Sequence, residues 1–156
     1  MPDIDPLAKL VYDESVRGLD MQSQSLDEIR SRTGVLIAAA TVAAALLGTS
    51  ALARHQVTYC VNLSALITFG LVVGFCLLVL WPGTKWTFAY NAATLDDTYF
   101  KKQVDATEAC RSMARGRAEH RKANAKRLRW RYLWFRLACV ALLADTVLWL
   151  VSIGVR

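Results

Sequence analysis

Apolar residues in this chain fall into three blocks, with polar residues before and between them. The first block, 33–53, has about 21 residues and so about 31 Å of helix, enough to cross a bilayer core. The second, 57–81, closes on Trp81-Pro82-Gly83, an interface aromatic followed by a helix stop. The third, 133–155, follows a collar of mixed bases and aromatics: Arg127, Arg129, Trp130, Arg131, Tyr132, Trp134 and Arg136. Such a collar marks the cytoplasmic rim of a membrane helix. The pattern predicts an all-α membrane protein with three transmembrane helices.

The polar stretches predict two further helical segments. In 1–32, Pro6 suits a first helical turn, and Tyr12, Leu19 and Leu26 recur every seven residues beside Val16 and Ile29. This repeat is short for a coiled-coil seam and reads as a cytoplasmic N-terminal helix resting on its neighbours. Ser25-Leu26-Asp27-Glu28 fits a capping box, so the helix is expected to restart at Ser25. The three residues 54–56 leave room only for a tight turn, which makes spans one and two an antiparallel hairpin. In 82–132, the alternating Trp86, Phe88 and Tyr90 read as an aromatic belt, and Thr94 with Asp96 and Asp97 as a helix start. A helical stripe follows through Leu95, Tyr99, Ala106, Cys110 and Met113, then weakens at Gly116. A straight helix over 95–132 would be about 57 Å long, whereas 13 linker residues reach about 43–47 Å. A bend near Gly116, a strong tilt or a surface-lying first half is therefore expected.

Charge orients these elements. The net charge of +6 is uneven: 1–32 holds four basic and seven acidic residues, while 82–132 holds twelve basic and five acidic. The turn between spans one and two holds only Arg54, and beyond span three there is only Arg156. The positive-inside rule then places the N-terminus and the basic 82–132 segment in the cytoplasm and the C-terminus outside, across a bacterial inner membrane. The acidic helix and the basic segment share a side and are expected to pack together, each exposed ion pair contributing a fraction of a kcal/mol. Ala51-Leu52-Ala53 resembles a signal-peptidase site, but 32 residues of net negative charge precede the first block, so cleavage is not expected.

The chemistry this chain offers is sparse. It has no phosphate-cradling glycine loop, HExxH, GxSxG or recognisable Cys–His pairing, so an enzyme is not expected, nor a cofactor or a metal site. Cys60, Cys76, Cys110 and Cys139 form no CxxC pair, and Cys76 and Cys139 read as small hydrophobes. Gly70-Leu-Val-Val-Gly74 has the spacing that brings two helices close, either to span one or to another subunit. Asn62 lies on the same face of span two as Leu66. Asp145 stands alone in span three, about 15 Å from its outer end and thus near mid-membrane, where an acid is expensive and marks a candidate functional site. Residues at similar depth include Thr41 in span one and Thr68 in span two. Two readings stand: a protonated Asp145 hydrogen-bonded to Thr41 or Thr68 as a structural clamp, or a ring of carboxylates lining a cation path in an oligomer. Its helical face also carries Ala138, Ala141 and Ser152 and must be buried or wet, with Val147, Leu150 and Val151 round the other side. The bases of 111–131, including Arg115, Arg117, Arg121, Arg127, Arg129 and Arg131, read as a lipid-headgroup collar or as an anionic-ligand site. Nucleic acid is not the expected partner beside a membrane span.

The layout resembles the SLATT-type and Pycsar-type small transmembrane effectors of bacterial defence systems. The local matches are Leu26-Asp27-Glu28-Ile29-Arg30-Ser31-Arg32-Thr33-Gly34-Val35-Leu36-Ile37-Ala38 where the first span begins, and Asn124-Ala-Lys126-Arg-Leu128 through Arg136-Leu137-Ala138 where the last begins. The resemblance implies a homo-oligomer in the lipid bilayer that opens or disrupts the inner membrane when a cytoplasmic sensor protein or nucleotide signal triggers it. This chain has no recognisable sensor domain of its own. The rival expectation is a membrane scaffold or accessory subunit that docks a cytoplasmic partner, for example a plasmid-associated product.

Overall fold

The computed structural model describes residues 5–52, 59–83, 86, 99 and 104–154. They form three long helices, α1 (Pro6–Leu52), α2 (Tyr59–Leu80) and α3 (Ala106–Gly154), with no strand among the described residues. Each is long and apolar enough to cross a membrane. The expected turn at 54–56, the helix start at Thr94 to Asp97 and the aromatics Phe88 and Tyr90 lie outside the described residues.

Local chemistry sets the helix starts. Asp5 caps α1, its Oδ1 accepting the Leu7 N–H at 3.0 Å, with Pro6 at the first helical position as expected. Asp105 does the same for α3, its Oδ2 accepting the Thr107 N–H at 3.1 Å. Two expected interruptions do not occur. α1 runs through Ser25 without restarting, because the Ser25 hydroxyl donates to Met21 O at 2.8 Å and Glu28 is engaged by Arg32 at 2.5 Å. Neither side chain is left for a capping box. α3 likewise runs through Gly116 unbroken, since the roughly 1 kcal/mol cost of one helical glycine is small beside 49 residues of helix.

The chain divides into two compact units, and α1 and α3 contribute residues to both. Residues 1–26 with 83–128 form the first. Here the sevenfold stripe of α1 faces inward as its spacing predicts: Leu19 and Leu26 are buried, as are Ala8, Ala109 and Ala114. The acidic helix and basic segment do pack together. Asp5 pairs with Arg111 at 2.8 Å, and Gln22 Nε2 donates to Arg121 O at 3.0 Å. Both partners of the ion pair are partly exposed, so it contributes only a fraction of a kcal/mol.

Residues 27–82 with 129–156 form the second unit. Ala40 of α1, Val72 and Cys76 of α2 and Ala138 of α3 make one buried layer; Ala65 and Trp149 with Leu47 and Leu148 make another. Between these layers α1 and α3 ascend in residue number while α2 descends, so α2 is antiparallel to both. This unit is inside-out by the standards of a protein in water. Ala40, Ala65, Cys76 and Ala138 lie in its core, while Val35, Leu46, Leu66, Leu78, Leu143 and Leu150 are exposed. In lipid, exposed Leu and Val carry no penalty, and small residues let backbones approach for van der Waals packing.

Candidate functional site

The buried face of α3 repeats every seven residues as Arg131, Ala138 and Asp145, so two ionisable groups occupy core positions of the second unit. Asp145 is 0 % exposed, covered by this chain alone. It falls between the two apolar layers, after Leu142 and one turn before Trp149. Neither carboxylate oxygen has a hydrogen-bond partner among the described residues. Trp149, one helical turn on, has a buried indole Nε1–H that likewise has no hydrogen-bond partner among the described residues. The Trp149 ring packs across Gly48 of α1, where an added Cβ would meet it at 3.5 Å.

The face assignment read from the sequence holds. Ala138 is buried and Ala141 half-buried with Asp145, while Val147, Leu150 and Val151 are exposed. The Ser152 side chain lies outside the described residues, as does that of Asn62 in α2. The expected clamp does not form. Thr41 is exposed on another face of α1 and its hydroxyl donates to Ile37 O at 2.9 Å; Thr68 is half-buried and donates to Ser64 O at 2.8 Å. A threonine in a helix satisfies its own hydroxyl on the i−4 carbonyl, and the donor a clamp requires is already committed. An intersubunit ring meets an obstacle too, because this chain's own helices cover the carboxylate.

Arg131 departs from the collar reading. It is only 8 % exposed, and its guanidinium donates to Val79 O and, at 2.7 Å, to Trp81 O. These carbonyls end α2, where the last turn of a helix lacks intrahelical donors. Arg131 therefore caps α2 from α3. Burial first, and the nearby Arg30 second, draw its pKa below the usual guanidinium value. Next to it, Trp134 stacks on Phe75 at 5.7 Å and on Trp130 at 6.2 Å.

The other predicted bases separate. Arg115, Arg117 and Arg121 line one cleft of the first unit together with Arg111. Arg127 is half-buried and Arg129 exposed, and neither lines that cleft. Gly70 and Gly74 are exposed, and a Cβ at either would meet no described residue within 4 Å. Span one of the same chain is therefore not their partner. Sequence reasoning missed Trp149 and the capping role of Arg131. The signals were present: Trp149 is one turn from Asp145, and Arg131 is seven residues before Ala138.

Among the described residues, no group of three or more His, Cys, Asp or Glu is placed to hold a metal ion. Fold and site together define a class, the helical multi-pass membrane protein, with three helices long and apolar enough to span and a buried acid in the third. Comparison with protein families, with curated proteins and with solved structures yields no match for this chain.

Proposed function

We propose that the chain is a non-enzymatic protein of the bacterial inner membrane that oligomerises and raises membrane permeability, as a defence effector would. The observation that carries this reading is Asp145: fully buried in a lipid-suited bundle, with no hydrogen-bond partner among the described residues. A buried acid without a partner costs several kcal/mol in stability, and such groups persist where function uses them. Because its own helices seal it, a cation path through Asp145 opens by parting those helices within a chain. The exposed face of α2 that carries Gly70 and Gly74 supports oligomerisation, since small residues there would let a second copy approach closely. Orientation follows the charge asymmetry, with the N-terminus and the 82–132 segment cytoplasmic and the C-terminus outside.

Expression with a membrane-potential dye tests the proposal. Wild-type protein is expected to depolarise cells, and Asp145→Asn at equal membrane abundance to abolish it. Wild-type protein that leaves the potential intact at high expression sinks the conduction reading. It then favours the scaffold, for which a separate observation speaks: Leu7, Leu10 and Val11 form an exposed apolar stripe at helical spacing on otherwise polar α1 sequence.

A further inference from the structure

The first unit contains a cleft of about 370 Å³ between the N-terminal part of α1 and the basic part of α3. That volume lies in the range of small-molecule sites, roughly 300–1,000 Å³. Four arginines, Arg111, Arg115, Arg117 and Arg121, stand against one acid, Glu14. Two of the four are engaged. Arg111 pairs with Asp5 at 2.8 Å, and Arg117 lies over the Tyr12 ring at 4.3 Å while donating to its hydroxyl at 3.1 Å. The side chains of Arg115 and Arg121 form no hydrogen bond or ion pair among the described residues.

Arg121 is nevertheless placed. Its guanidinium rests on Gly18 of α1, where an added Cβ would come within 2.9 Å of Nη1. A glycine at this buried position is what admits the guanidinium to the helix surface. The cleft floor is apolar, formed by Val11, Ala114 and Ala118. Placed guanidinium forks beside an apolar floor suit a phosphate attached to a carbon body: the forks take the phosphate oxygens two at a time, and the floor takes the body. A bare inorganic anion would leave the floor unused.

We infer that this cleft binds an organic phosphate monoester, with its phosphate on Arg115 and Arg121 and its body over Val11, Ala114 and Ala118. The phosphate has two sources, a soluble metabolite or a lipid headgroup, and the test separates them. Full-length protein in phosphatidylcholine nanodiscs is titrated with phenyl phosphate, and in a second arm is tested for retention of a fluorescent phosphatidic acid. Saturable phenyl phosphate binding, tighter than that of inorganic phosphate, assigns a soluble source. Phosphatidic acid retention without phenyl phosphate binding assigns a headgroup. In either arm the Arg115→Ala/Arg121→Ala double variant is expected to bind about tenfold or more weakly, and Arg129→Ala, outside the cleft, like wild type. Gly18→Ala is the sharper variant, because it leaves every charge in place and displaces only the Arg121 fork; it too is expected to weaken binding. Equal binding by all variants would show diffuse surface charge and overturn the site, as would no binding in either arm. None of these readings depends on permeability, so the cleft stands or falls separately from the conduction path.

Discussion

Arg131 and Asp145 stand fourteen residues apart on one face of α3, and lipid-suited packing treats them differently. Arg131 reaches carbonyls that the end of α2 leaves unpaired, so its burial is matched by charge-assisted hydrogen bonds. Arg131→Ala is expected to lower stability in detergent by about 1–3 kcal/mol, read as a fall in melting temperature by tryptophan fluorescence. Arg131→Lys should recover less than half of the loss, because one ammonium cannot span two carbonyls as a planar fork does. Full recovery by lysine would mean that only the charge matters. Asp145 has no such outlet. The described threonines of the second unit, Thr33, Thr41, Thr49, Thr68 and Thr146, each donate to a carbonyl of their own helix. The carboxylate forms no hydrogen bond of that kind and keeps its demand.

At the level of elements, α2 separates what pattern reading captures from what it does not. Its residues are apolar all round, so hydropathy finds the span but cannot say which side is core. The structure buries Ala65, Val72, Cys76 and Val79 and leaves Leu63, Ile67, Gly70, Gly74 and Leu77 outside. Both sets follow the same three-and-four spacing. Replacing Gly70 and Gly74 with Leu is expected to leave the monomer's melting temperature almost unchanged, since a Cβ added at either would meet no described residue within 4 Å. The same double variant should shift the oligomer distribution toward monomer in crosslinking or sedimentation. A destabilised monomer would instead place the glycines in an intrachain seam. In α1 and α3 the polar faces mark the core side, and the inward stripe of Leu19, Leu26 and Ile29 and the lipid-side Val147 and Leu150 were readable in advance. Helix continuity was not, because a capping box and a mid-helix glycine signal a break only when their side chains or the backbone have no better use. The cap on α2 was hidden for a related reason: a base beside a span looks outward until its phase against Ala138 is counted.

For the whole molecule, the division into a polar unit and a lipid-suited unit matches the division of charge along the chain. Twelve bases in 82–132 against one in the 54–56 turn predict a topology that fusions can read. Alkaline phosphatase fused after Arg156 is expected to be active and a fluorescent protein at the same place dark; the reverse result would invert the orientation. An active phosphatase fusion would put the arginine cleft of the first unit on the cytoplasmic side.

If the proposed conduction path runs past Asp145, its full burial has a consequence for how that path would open. A single water entering beside a buried carboxylate has few companions to bond with, whereas a continuous file supplies each molecule with neighbours. Wetting along α3 would then be cooperative, with the acid as the point from which it nucleates. The side chain that costs the bundle stability would be the one that makes an abrupt transition attainable.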